Sequence, residues 1–85
     1  LFLVIDEVAF QRMDVRLAHK LIELTGPSNI IKTTHQQLSV ELGTAREVVS
    51  RQLQEFQRRG WVAQSRGIIE LLNRQKLREL MERNS

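Results

Sequence analysis

Two copies of one helix-start signal lie ten residues apart with a glycine between them. Thr34 is followed three residues later by Gln37, and Thr44 by Glu47, the spacing at which a hydroxyl and an amide or carboxylate cap a helix reciprocally. Gly43 stands where a left-handed residue would end the first of these helices, whose apolar positions are Leu38 and Leu42 with Val40 nearby. That helix can have only about two turns. The second must start within two or three residues of it, and its apolar series of Val48, Val49, Leu53 and Phe56 runs up to Gly60. Two short strand-like runs follow, Trp61-Val62-Ala63 and Ile68-Ile69-Glu70-Leu71, separated by Gln64-Ser65-Arg66-Gly67.

Two helices joined around a glycine cross steeply, and a hairpin just after the second adds a wing. The order predicts a winged helix-turn-helix, mainly α with a small β-hairpin wing. When such a motif binds DNA, the second helix enters the major groove with its N-terminal residues against base edges. At about 100° per residue, Arg46, Ser50, Gln54, Glu47, Arg58 and Arg51 fall within about 140° of one another, opposite the apolar series. Arginine pairs with guanine O6 and N7, a carboxylate accepts from cytosine N4, and serine serves either way. The bland alternatives stay open: a solvated charged face, and Glu47 placed at a helix N-terminus because acids favour that end.

The flanks complete the domain. Leu17, Ala18, Leu21, Ile22 and Leu24 recur at helical steps after a capping Asp14, which predicts a helix over about Asp14 to Thr25. Gly26-Pro27-Ser28-Asn29 reads as a loop, Ile30-Ile31-Lys32 as a short β-branched run, and Asn73 as the cap of a last helix holding Leu77, Leu80 and Met81. Leu1, Val4 and Val8 follow a rhythm that fits either the end of a coiled-coil seam or a frayed tail.

An 85-residue chain has room for about one domain, which excludes an enzyme with its own cofactor fold. No cysteine is present, so disulfides, thiolate metal sites and a thiol nucleophile are excluded, and no cofactor is expected in this segment. The longest apolar run, Leu1 to Ile5, is far too short to cross a membrane. The net charge of +3 is small, but residues 44–66 hold five arginines against two glutamates, which is the whole excess. His19 and His35 lack the companions of a metal site, and Ser50 has no histidine or lysine at motif spacing to make it a nucleophile. Trp61, among apolar neighbours, is expected to pack in the core.

The run Thr33 to Leu72, and above all LGTAREVVSRQLQEFQRRGWV, resembles the C-terminal DNA-binding domain of the Crp–Fnr family of bacterial transcription regulators. DVRLAHKLIEL is similar to the family's first domain helix, and Val8-Ala9-Phe10 to the hinge that follows the long dimerisation helix. The resemblance implies residues 1–12 as the end of that helix and the hinge, residues 13–85 as the winged domain, and a fragment of a longer cytoplasmic protein. It implies Arg46, Glu47, Ser50 and Arg51 as base-contacting residues. Glu47, Ser50 and Arg51 match the Glu-x-x-Ser-Arg pattern of the Fnr-like branch, whose half-sites are TTGAT-like with a shared TGA core, while Arg46 matches Crp-like members. Many relatives carry a phosphate-bonding serine where this chain has Ala45, so backbone contacts are expected from Thr34, His35, Gln36, Thr44, Gln54 and Arg66. For His35 and Arg66 simple exposure remains the competing reading. The implied partners are double-stranded DNA, RNA polymerase, and a second copy through the upstream helix; the effector of the family's sensor domain is not specified by this chain. The reading from a different class is a winged-helix module that binds another protein.

Overall fold

The computed structural model describes residues 13–83. The upstream helix end and hinge expected over residues 1–12 lie outside the described residues. Among the described residues four helices and three strands follow one another as α1 (Met13–Thr25), a 3-10 turn (Gly26–Ser28), β1 (Ile30–Lys32), α2 (His35–Leu42), α3 (Arg46–Arg58), β2 (Val62–Ser65), β3 (Ile68–Leu71) and α4 (Arg74–Arg83). The architecture is mainly helical with a small antiparallel sheet, as the order of signals predicts.

The sheet holds one strand more than a hairpin. Its order is β1-β3-β2, with Ile31 opposite Ile69 and Val62 opposite Leu71. These four side chains are all buried, so the alternating side of each strand is the core side. The Thr33 amide donates to the Gly67 carbonyl and carries the β1–β3 ladder to the hairpin tip. That tip is shorter than the expected four residues. Gln64 and Ser65 pair with Ile69 and Ile68 inside the ladder, which leaves Arg66 and Gly67 to turn the chain, Gly67 at φ 69°.

The first helix-start signal forms as read. The Thr34 hydroxyl accepts from the Gln37 amide at 3.1 Å, the Gln37 side chain accepts from the Thr34 amide at 3.0 Å, and Gly43 ends α2 at φ 68°. The second does not. Ala45 is the N-cap of α3 and makes no side-chain cap bond. Thr44 instead donates its amide to the Ser39 carbonyl at 3.0 Å, closing α2, so it sits one residue too early to cap and Glu47 falls at the second helical position rather than the third. Val40 is a second correction: it is 71% exposed, and Ser39 is buried in its place, its hydroxyl donating to the Gln36 carbonyl.

The core is one cluster in which α1, α2, α3, the sheet and α4 each bury a face, with Leu17, Leu38, Leu53, Phe56, Ile69 and Leu77 all but removed from solvent. Helix α1 packs mainly along α4, and α3 packs on α2 and β2. Two arginines fasten the layers from outside the core. Arg16 of α1 donates to the Leu42 carbonyl at the end of α2. Arg74 of α4 donates to Asn29 Oδ1 at 2.9 Å, to Thr25 Oγ1 at 3.2 Å and to the Gly26 carbonyl, so the last helix grips the turn that follows the first. Arg74 therefore serves packing between elements rather than the solvated surface of α4. Asn73 caps α4, its side-chain oxygen accepting from the Lys76 amide at 3.1 Å.

Candidate nucleic-acid interface

Helix α3 has two unlike sides. Val49, Leu53 and Phe56 are at most 1% exposed, and Val48 is half-buried beside them. On the opposite side Arg46, Glu47, Arg51 and Gln54 are all exposed, and Ser50 is half-buried at the edge nearest α2. Among the described residues no salt bridge engages Arg46, Glu47 or Arg51. Their charges are left uncompensated by the described residues, two guanidinium groups that can only donate and one carboxylate that can only accept.

The last turn of α3 is the reverse. Glu55 accepts from Arg58 Nη2 at 2.7 Å and from Arg59 Nε at 2.8 Å. These donors, Arg58 first and Arg59 second, pull its carboxyl from the ordinary 4.5 down to about 2. Arg59 also lies over the Trp61 ring, 5.2 Å from its centroid, and Trp61 in turn leans on Phe56 with ring centroids 5.5 Å apart. Trp61 thus packs on the core as expected, one residue ahead of the strand.

The residues expected to touch the phosphate backbone are scattered around this helix. Thr34, Gln36, Gln54 and Arg66 are exposed, and Thr44 and His35 are half-buried. Thr34 spends an acceptor site on its capping bond, and as a hydroxyl it still has a proton to donate. Arg66 stands at the hairpin tip. His35 has partners of its own: its Nδ1 lies 2.7 Å from Ser50 Oγ and its Nε2 lies 2.6 Å from Gln64 Oε1. The Gln64 amide nitrogen donates onward to Gln57 Oε1 at 2.8 Å. Gln57 and Gln64 carry no signal in the sequence, because the fold alone brings α2, α3 and β2 together at this point.

The same contact supplies the serine-histidine pair that spacing along the chain does not show. The far nitrogen of His35 faces a neutral amide, where a Ser-His-Asp triad has a carboxylate. Among the described residues no group of three or more histidines, cysteines or acids is placed to hold a metal ion.

Comparison with known proteins agrees with this geometry. The family model of the Crp-like helix-turn-helix domain matches residues 15–80. The chain is 33% identical to the transcriptional regulator SdrP of Thermus thermophilus over 86 residues, covering 92% of this chain and 43% of that protein. Among solved structures, a chain from Eubacterium rectale described as a regulator of the Crp/Fnr family matches with a TM-score of 0.82 at 35% identity, covering 95% of this chain and 38% of that one. The catabolite activator protein of Thermus thermophilus matches with a TM-score of 0.80 at 28% identity, covering 98% of this chain and 40% of that one. The chain spans less than half the length of each of these proteins.

Proposed function

The chain belongs to the Crp-like helix-turn-helix domain family, and from that premise we propose that it reads double-stranded DNA for a bacterial transcription regulator. Helix α3 enters the major groove. The observation that carries this reading is the set of exposed charges on its first two turns, Arg46, Glu47 and Arg51, which are neutralised by none of the described residues while the other side of the helix is sealed in the core. Arg51 and Arg46 pair with guanine edges, Glu47 accepts from cytosine, and Ser50 completes the base-contacting set. Thr34, His35, Gln36, Thr44, Gln54 and Arg66 supply the phosphate contacts around it.

The half-site is TTGAT-like with a TGA core, read by two copies on a near-palindrome. Pairing of the copies through a helix upstream, contact with RNA polymerase, and control by an effector bound outside these residues complete the proposal, and a DNA reader of this class works in the bacterial cytoplasm. Among the described residues no helix is long and apolar enough to cross a membrane.

The test is a titration of the 85-residue chain against a palindromic TTGAT duplex and a scrambled duplex through a salt series. Binding that favours the palindrome, with log affinity falling linearly with log salt, supports the reading. No duplex binding at low salt would overturn it in favour of a protein-binding module.

A further inference from the structure

The hydrogen bonds around His35 admit one consistent direction for a neutral imidazole. Gln64 donates its amide nitrogen to Gln57, so it turns its carbonyl oxygen, an acceptor only, toward His35 Nε2. That nitrogen must carry the imidazole proton. In a neutral imidazole the other nitrogen is then a bare lone pair, and Nδ1 can only accept from the Ser50 hydroxyl 2.7 Å away. The one proton of that hydroxyl is thereby turned inward.

We infer that His35 is a positioning residue for base recognition: it holds the Ser50 hydroxyl as an obligate acceptor toward the groove, and Gln64 of the wing fixes the tautomer that does so. The inference rests on the DNA reading proposed above. A serine free to rotate either donates or accepts and discriminates little. A serine whose hydroxyl proton is engaged in the hydrogen bond to His35 bonds only to exocyclic amino groups, adenine N6 or cytosine N4, and is unmatched against thymine O4 or guanine O6. His35 therefore acts through Ser50, and the role expected of it at the phosphate backbone becomes secondary. The wing contributes to sequence choice through β2 without touching a base.

The experiment is selection of bound duplexes by the 85-residue chain from a pool randomised across the half-site, in mildly alkaline buffer. The variants are Ser50→Ala, His35→Ala, the double substitution, His35→Asn and His35→Gln. The first two should weaken preference at the same base pair, each by about three- to tenfold as for one neutral hydrogen bond, and the double variant should lose no more than Ser50→Ala. His35→Asn sets an amide oxygen where Nδ1 stood and should keep most of the preference, whereas His35→Gln reaches Gln64 instead and should lose it. This pair keeps the test decisive where His35→Ala does not fold. Uniform weakening by every His35 variant across the pool, with an unchanged preference profile, would overturn the inference and make His35 a phosphate contact while leaving DNA reading intact. Failure of the unsubstituted chain to select any duplex would instead overturn the DNA reading, and this inference with it.

Discussion

The two ends of helix α3 carry the same residue types and use them in opposite ways. At its start Arg46, Glu47 and Arg51 stand exposed with no ion-pair partner among the described residues. At its end Arg58 and Arg59 close on Glu55, and Arg59 covers Trp61 as well. Spacing alone does not explain the difference. Glu55 has arginines three and four residues ahead, where helix geometry brings side chains together. Glu47 lies one residue after Arg46 and four before Arg51, yet it forms no bridge with either, so the start of the helix remains open to an outside partner. Arginine-rich composition alone therefore does not locate a binding face; the degree to which each charge is already satisfied does.

The buried stripe beneath both ends sets the largest effect. Leu53 is fully buried on the helix that packs on α2 and β2, and Leu53→Ala should cost about 2–5 kcal/mol of stability, since a small core collapses poorly around a lost side chain. DNA binding should fall only in proportion to the unfolded fraction, which calorimetry alongside binding on one preparation measures. A Leu53→Ala chain that melts like the parent but fails to bind DNA would move the functional face onto the apolar side and erase the contrast between the two ends.

Next in size is the contrast itself. Arg51→Ala should cost about 1–3 kcal/mol of binding on the preferred duplex, relax choice at one guanine, and leave the melting temperature unchanged. Arg58→Ala should spare sequence choice, because its guanidinium is already committed to Glu55. Competition assays on specific and random duplexes separate the two. Equal losses on both duplexes for Arg51→Ala would reduce it to a phosphate contact and place the two ends on one footing.

What could be read from the chain beforehand follows the range of each interaction. The Thr34 and Gln37 cap, the Gly43 stop and the Val49, Leu53 and Phe56 stripe are local or periodic, and all stand as read. The apparent second capping box fails because spacing fixes the distance between Thr44 and Glu47 but not where the helix begins, and closure of α2 claims the Thr44 amide first. Ile30-Ile31-Lys32 looks merely β-branched because its strand partner, Ile68-Ile69-Glu70, lies nearly forty residues away. Arg74 and the His35, Ser50 and Gln64 chain are invisible for the same reason, being contacts between residues that share neither element nor period.

The missing cap at Ala45 gives a smaller and favourable change. The N-cap residue has extended backbone angles, φ −75° and ψ 146°, in which a serine hydroxyl can accept from an amide of the first turn. Ala45→Ser should raise stability by about 1 kcal/mol, read as a higher denaturant midpoint with an unchanged slope. In the proposed complex it also adds a donor near the phosphate backbone, so affinity for all duplexes should rise together while sequence choice stays fixed. A shift in sequence choice would mean that the start of α3 is repositioned by its cap.

The smallest effect tests the closed end directly. The Glu55 carboxyl is held at about 2 in the folded chain, first by Arg58 and then by Arg59, against an ordinary value of 4.5. A carboxyl whose folded value is depressed binds its proton more readily once the chain unfolds, so the stability it contributes is present in full above about pH 4.5 and is lost as the pH falls toward about 2. Because the ion pair is solvated, its worth is modest and should shrink further with added salt. Other acids titrate in the same range, Glu23 among them, held low by Lys20. Subtracting the melting temperature of Glu55→Gln from that of the parent at each pH removes their contribution. That difference should be greatest near neutrality, narrow below about pH 4.5, and vanish near pH 2. A difference that stays constant across this window would mean that Arg58 and Arg59 give Glu55 no net support, leaving them as free as Arg46 and Arg51 to meet a partner.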